Sequence, residues 1–403
     1  MEQINIGLVG FGTVGQALYE VVSGARNAHA AVKRICVRSL DKPRKVQVPA
    51  ELLTTDAADI VNDPDISLVV EVIDDPEAAY RIACDALRAG KDVVSGNKAM
   101  IARHLPELIE LQQATGRALL YDASSCGSIP VIRNLEEYYD NDLLLEVKGI
   151  LNGSSNYILS RVFDHGEEYA DALVRAQKLG FAESDPTHDI SGNDSLNKLV
   201  IITLHAIGVY VPPKDIFVYG IPTLRAEDIR YAREKGMKIK LVAQVVKLSD
   251  AKFTMFVMPE FVAPNRYIYA VDDEYNGVVI RGECYDRQFM FGKGAGGRPT
   301  ASSLLSDITA LRHNYRYEYK KSGFTPRPEY TADVTLKIYA RYEHTDLRTG
   351  LPWIAVNEEY RCDEYRYVIG EIRLSDLIEA APLLRADDIF LCNFPRFFAD
   401  RDD

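Results

Sequence analysis

No apolar run among the 403 residues approaches the about 20 that a helix needs to cross a membrane, so a spanning role is not expected. Positive charge is also short: 47 Lys and Arg stand against 59 Asp and Glu, a formal balance of −12. A polyphosphate partner favours a basic surface, which argues against nucleic acid as the main ligand. One stretch, "RHNYRYEYKK" from Arg312 to Lys321, interleaves basic and aromatic residues, and a solvated linker or strand explains it more simply. Cysteine is sparse: Cys36, Cys84, Cys126, Cys284, Cys362 and Cys392 are scattered and form no CxxC pair. That pattern argues against a disulfide framework or a zinc site and suits reduced thiols in the cytosol. Cys126, within "SSCGSIP", has no neighbouring His or Lys to make it a thiolate and reads as a small packing residue. A signal peptide has no room either, because "MEQINIGLVGFG" enters a strand pattern almost at once; the expected location is cytoplasmic.

What is present is alternation. "INIGLVGFG", "AVKRICVR", "SLVVEVI", "DVVSGNKA" and "ALLYDAS" read as short apolar strands. Amphipathic spacing from Val14 to Val22, in "PEAAYRIACDALRAG" up to Gly90 and in "LPELIELQQATG" up to Gly116 predicts helices between them. Strands alternating with helices indicate parallel βαβ units, an α/β fold of the Rossmann type. A second, α+β part starts near "LEVKGILNGSSNYIL" and contains the helical pattern "SLNKLVIITLHAIG". "GMKIKLVAQVVKL" and "RYIYAVDDEYNGVVIRGE" read as strands facing helices, and "TASSLLSDITALR" as a closing helix. The tail has strand-like "DVTLKIYARY" and "YRYVIGEIRL", the helix candidate "SDLIEAAPLL" and the apolar "DIFLCNF". The expected division is a nucleotide-binding domain from residues 1–127 plus about 300–325, a catalytic and dimerisation domain from 128–299, and a small α+β extension from 326–403.

Two stretches carry chemistry. In "GFGTVG", Gly10, Gly12 and Gly15 follow the first strand and open a helix, with Phe11, Thr13 and Val14 between them. Gly10 permits a tight turn, Gly12 lets the backbone approach a pyrophosphate, and Gly15 lets helix and strand pack closely. The second strand ends in "ICVRSLDKPRK", where a carboxylate would select the 2′-hydroxyl of NAD; Arg38 stands there instead and favours NADP, with NAD as the alternative. The other stretch, "ESDPTHDISGNDSLNKL", places Glu183, Asp185, Asp189 and Asp194 ahead of Lys198. Asp194 and Lys198 are four apart in a helical pattern, so they share one face and can pair. Asp185 precedes Pro186 and reads as turn chemistry; with His188 and Asp189 it superficially resembles a divalent-metal cluster. The serines and Asn156 of "NGSSN" read equally as a helix cap or as contacts in the substrate region.

From the glycine turn through "VNDPDISLVVEVI", "AGKDVVSGNKAM", "YDASSCGSIPVI", "GILNGSSNYIL" and "LGFAESDPTHDISGNDSLNKL" to "GAGGRPTASSLLSDI", the chain resembles homoserine dehydrogenases, in family order over roughly residues 4–312. The resemblance implies NAD(P)-dependent interconversion of L-homoserine and L-aspartate 4-semialdehyde in threonine and methionine biosynthesis, by a homodimer. By position, Lys198 matches the family's acid–base lysine and Lys98 a second lysine beside the nicotinamide and the reacting carbonyl. Glu183 and Asp194 match substrate-binding positions, Gly153 and Asp189 fall with them, and Gly180 and Gly296 fall with the cofactor. The resemblance also implies a monovalent cation, usually sodium, held by the carboxylate of Asp122 and the carbonyls of Ser125, Gly127 and Ile129. Asp122 stands where the family usually has Glu, and Asp74 and Asp75 stand where it commonly has two glycines. Two carboxylates there would repel a cofactor phosphate unless they turn outward, which keeps open a cofactor-binding protein without turnover. An oxidoreductase for another small aldehyde is a further alternative. Some family members end in an ACT domain; here the usual glycine turn is missing from the tail, so assembly rather than feedback inhibition is expected of it.

Overall fold

Short runs that are apolar on both faces can be buried only in a sheet covered twice, and the first sheet is built from them. Its strands are β1 (Ile4–Val9), β2 (Ala30–Cys36), β3 (Leu53–Thr54), β4 (Leu68–Glu71), β5 (Asp92–Ser95) and β6 (Leu119–Leu120). All pair in parallel, in the order β3-β2-β1-β4-β5-β6 of doubly wound dinucleotide-binding sheets. The computed structural model describes residues 3–182 and 185–395 of the chain, apart from the side chain of Arg26. Among these residues no helix is long and apolar enough to cross a membrane.

The chain divides into two compact units. One comprises the residues up to Asp140 with Val200–Pro212 and Gly292–Gly323. The other comprises Asn141–Leu199, Pro213–Phe291 and the residues from Phe324 onward. Segments 128–140, 200–212 and 292–299, expected in the catalytic domain, thus fall with the nucleotide-binding unit. Buried polar contacts within that unit explain the placement: the Tyr121 hydroxyl meets His205 Nε2 at 2.8 Å, and the Lys321 ammonium donates to the carbonyls of Leu135 and His205. Another difference concerns Lys98. The strand read through "DVVSGNKA" stops at Ser95, and Lys98 opens the helix Lys98–Thr115 because the Asn97 side chain accepts the Met100 N–H at 2.9 Å and caps it. The helix kinks at His104 (φ −117°, ψ 17°), two residues before Pro106, which has no N–H to return to the preceding turn and whose ring crowds that turn's carbonyl.

The second unit holds a sheet of eleven strands: β7 (Leu144–Ile150), β8 (Phe217–Val218), β9 (Lys238–Ser249), β10 (Lys252–Val262), β11 (Tyr275–Gly282), β12 (Asp286–Lys293), β13 (Glu329–Tyr330), β14 (Thr335–Tyr342), β15 (Ala355–Arg361), β16 (Arg366–Arg373) and β17 (Phe390–Phe394). The path runs β12-β11-β7-β9-β10-β17-β14-β16-β15, with β8 and β13 beside β10. "RYIYAVDDEYNGVVIRGE" is only half strand: Tyr267–Ala270 makes a 3₁₀ turn, and Asp273 takes a left-handed φ of 53° that breaks the extension before β11.

The tail is not a third unit. Its strands β14 to β17 lie in the order β17-β14-β16-β15, with the helices Leu347–Gly350 and Leu374–Glu379 after its first and third strands. That is the βαββαβ plan of ferredoxin-like units. β17 pairs in parallel with β10, so the tail prolongs the unit's own sheet. One apolar cluster joins them, with Phe256 and Met258 of β10 packed among Leu336, Ile338, Ile372 and Leu377. Beside it, Asp228 and Arg341 form an ion pair at 2.9 Å with both side chains fully buried.

Candidate functional site

The glycine turn lies at the carboxyl edge of β1. Gly10 has φ +103°, a conformation that favours glycine, and a side-chain carbon there would lie 2.8 Å from the Val72 carbonyl oxygen. At Gly15 the same carbon would lie 2.1 Å from the Gly10 oxygen, whereas at Gly12 it would meet nothing within 4 Å. Helix Thr13–Gly24 starts at Gly12 without a side-chain cap. Its first N–H groups are therefore not taken by a cap side chain, the arrangement that can receive a pyrophosphate, and these residues fit a dinucleotide. Phe11 is buried, its ring edge-on to Tyr19. Gly296, with φ +112°, precedes the helix Gly297–Leu311, and a side-chain carbon at Gly297 would lie 3.0 Å from the Thr13 carbonyl oxygen; this helix therefore packs against the start of the glycine turn's helix. Gly180, expected with this group, belongs to the second unit, where with φ +77° it ends the helix Tyr169–Leu179.

Arg38 is exposed just past the end of β2. Arg44, by contrast, is turned back on its own loop, donating to the carbonyls of Ser39 and Leu40. Both Asp74 and Asp75 are exposed, and Asp75 caps the helix Pro76–Arg88 by accepting the N–H groups of Glu77 (3.0 Å) and Ala78 (3.1 Å). The Ala78 N–H does most to hold the Asp75 carboxyl below its usual range, with Glu77, Arg81 and Arg38 adding to it. One of the two departures from a glycine pair therefore serves helix formation.

The residues expected to bind substrate belong to the second unit. Helix Asn193–Ile207 carries Asp194 and Lys198, each 6 % exposed. The Lys198 ammonium donates to Asp194 Oδ2 at 2.7 Å and to the Leu151 carbonyl at 2.6 Å. Asn152 binds the cluster together: its amide donates to Asp189 Oδ1 (2.7 Å) and Asp194 Oδ2 (2.9 Å), while its oxygen accepts the Ser155 N–H at 2.7 Å. It is thus the cap of the helix Gly153–His165 as well. Burial, and then the charge of Asp194, pushes the Asp189 carboxyl up. At Gly153 a side-chain carbon would lie 2.6 Å from the Glu274 carbonyl oxygen, so close packing demands glycine there. Asn156 serves neither as cap nor in this cluster; its amide donates to the carbonyls of Val271, Asp273 and Tyr275. Asp185 is exposed and accepts the Thr187 N–H and hydroxyl, a local turn. Glu183 lies outside the described residues. Sequence reasoning missed Asn152, whose signal was an Asn one residue ahead of a helix start.

Asp122 is buried in the first unit and is engaged otherwise than expected. Its Oδ1 accepts the N–H groups of Ile132 (3.0 Å) and Arg133 (3.1 Å), capping the helix Val131–Glu137. Asp307 accepts the Asp122 N–H at 3.0 Å and pairs with Arg133 at 2.8 Å. Desolvation pushes the Asp122 carboxyl up to about 6 against the pull of Arg133 and the helix amides. The carbonyl of Ile129 accepts the Val131 N–H at 2.8 Å, and Ser125 and Gly127 lie buried nearby. Asp122 Oδ1 and the Ile129 carbonyl, two of the expected cation ligands, are thus already engaged by backbone N–H groups. Among the described residues no group of three or more His, Cys, Asp or Glu side chains is placed to hold a metal.

A doubly wound parallel sheet with an open glycine turn, carried on a chain that also buries a lysine–carboxylate pair, defines a dinucleotide-dependent oxidoreductase. Residues 10–122 match the model of the homoserine dehydrogenase NAD binding domain, and residues 130–309 match the homoserine dehydrogenase model. The chain is 33% identical to a homoserine dehydrogenase of Bacillus subtilis over 349 residues, 85% of this chain and 80% of the relative. With one of Synechocystis it shares 38% over 314 residues, 76% and 72% of the two chains. The crystal structure of a homoserine dehydrogenase from Thiobacillus denitrificans matches at a TM-score of 0.83 and 30% identity, covering 99% of both chains. A hyperthermophilic archaeal homoserine dehydrogenase in complex with NADPH matches at 0.67 and 26% identity, over 78% of this chain and 99% of that one. The chain belongs to the homoserine dehydrogenase family.

Proposed function

We propose that this chain, as a cytoplasmic homodimer, interconverts L-homoserine and L-aspartate 4-semialdehyde with NADP in preference to NAD. The observation that carries the reading is the buried Lys198 ammonium, fixed on one side by Asp194 and on another by the Leu151 carbonyl. Oxidation of an alcohol removes a hydroxyl proton as well as a hydride, and reduction returns both. Bound NADP(H) accepts or supplies the hydride; the proton is the protein's task. An ammonium has three N–H groups, and among the described residues two are engaged, leaving one for the substrate oxygen. In the reduction Lys198 gives this proton to the developing alkoxide and stabilises its charge; in the oxidation the neutral amine receives it. Asp194 and Asp189, joined through Asn152, supply the negative charge that suits a substrate ammonium, with Glu183 as a third carboxylate. Lys98, opening a helix at the carboxyl edge of β5, is assigned the nicotinamide side. Arg38, and the absence of a carboxylate at the end of β2, support the preference for NADP.

Initial rates with L-homoserine and each cofactor test the proposal. It expects turnover with both and a higher kcat/KM with NADP. Cofactor binding without turnover, or turnover only of a different alcohol, would contradict it.

A further inference from the structure

Glu71 is the last residue of β4, is 0% exposed, and has no ion pair among the described residues. A carboxylate in such a place is retained only where its acceptor oxygens are used. Oε1 accepts the Ile73 N–H at 2.7 Å and Oε2 accepts the Ser95 hydroxyl at 2.6 Å. Ser95 is the register partner of Glu71 on β5, and its oxygen in turn accepts the Asn97 N–H at 3.0 Å. Asn97 closes the ring by donating to the Ile73 carbonyl at 3.0 Å, while its oxygen caps the helix that Lys98 opens. The ring therefore joins the loops that leave the carboxyl edges of two adjacent strands. The residue before Ile73, Val72, carries the carbonyl against which Gly10 is packed, so one side of the ring abuts the glycine turn and the other fixes Lys98. Burial drives the Glu71 carboxyl up to about 7 in spite of these hydrogen bonds. Such perturbed acids cluster at functional sites.

We infer that Glu71 is a positioning residue for Lys98, acting through Ser95 and Asn97. This rests on the assignment of Lys98 to the nicotinamide side. The test is a mutant cycle on the full-length enzyme, with kcat measured in steady state and the NADPH Kd by fluorescence. Removal of a positioning group misplaces the lysine, so Glu71→Ala is expected to lower kcat about tenfold or more while the NADPH Kd stays within about threefold. Glu71→Gln keeps an oxygen for the Ile73 N–H and is expected to recover most of the lost kcat. On a Lys98→Ala background, Glu71→Ala is expected to cost less than about twofold, because residues acting through one another are not additive. Equal losses on both backgrounds would mark a merely structural role and overturn the inference, as would an unchanged kcat in Glu71→Ala. If Glu71→Ala does not fold, Ser95→Ala opens the same ring at its other end; about a fivefold or larger loss of kcat supports the inference, and wild-type kcat overturns it. Should Lys98→Ala alone keep wild-type kcat, the assignment of Lys98 fails first, and the inference falls with it. A large loss in Lys98→Ala with an additive cycle removes only the role of Glu71.

Discussion

At the scale of single residues, charge placement decides cofactor and proton chemistry. Arg38 is an exposed cation just past β2, whereas Arg44 is bonded to its own loop, so on the proposed reading Arg38 rather than Arg44 meets a 2′-phosphate. A charge-assisted hydrogen bond is worth about 1.5–3 kcal/mol, so Arg38→Ser should raise the KM for NADP about tenfold or more and leave that for NAD within about twofold. Initial-rate kinetics with both cofactors check this, and equal effects on the two would refute it. Glu71 gives a pH signature. Its carboxyl titrates at about 7 in the folded protein against an ordinary 4.5, so the native state keeps a proton that the unfolded chain has released. Its contribution to stability is therefore full below pH 4.5, declines as the pH rises and is lost once the pH passes about 7. Between these limits Glu71→Gln should flatten the pH dependence of the urea midpoint, by roughly 3 kcal/mol in unfolding free energy. An unaltered pH profile in the variant would show that Glu71 titrates normally. These residues were unequally visible in the sequence. Lys198 and Asp194 announced themselves by a spacing of four, but Glu71 sits in a plain apolar strand, and its partner Ser95 is brought to it only by strand register.

At the scale of elements, capping accounts for residues that otherwise look out of place. Asp75 stands where a relative would carry glycine, and its carboxylate accepts the Glu77 and Ala78 N–H groups at the head of the helix Pro76–Arg88. Asp75→Ala should lower stability by about 1 kcal/mol, as losses of such caps do, and leave kcat and the NADP KM unchanged. A drop in the NADP KM without a loss of stability would instead identify Asp75 as a charge repelling the cofactor. Asp122 and Asn97 follow the same pattern, each accepting N–H groups at a helix start. A cap is a relation between a side chain and amides two or three residues along, and for Asp122 the amides lie about ten residues on, at Ile132 and Arg133. Periodicity located the strands and the glycine-terminated helices well, because burial on a parallel sheet leaves a nearly continuous apolar signal. It placed Lys98 in a strand because "DVVS" and "GNKA" differ by a turn that only the Asn97 hydrogen bond reveals.

At the scale of the whole molecule, the residues from Phe324 onward group with the second compact unit. The tail's strand and helix candidates were legible, but not their docking, since the β17–β10 pairing joins residues more than 100 positions apart and leaves no local pattern. Deleting residues 326–403 would strip Phe256 and Met258 of their apolar partners and leave Asp228 buried without Arg341. Loss of one partner of a buried pair costs about 3–5 kcal/mol, so the truncated chain should be aggregated or largely unfolded by size exclusion and circular dichroism. A soluble truncated enzyme with wild-type kcat would show the tail to be an independent module. The central claim, proton transfer by a clamped ammonium at Lys198, is tested most directly by Lys198→Ala, with kcat for L-homoserine oxidation and NADPH affinity measured on the same preparation. Loss of an acid–base group typically lowers a rate about 10²–10⁴-fold; that loss, with the NADPH Kd within about twofold, is the result expected. Wild-type kcat in the variant would contradict the account.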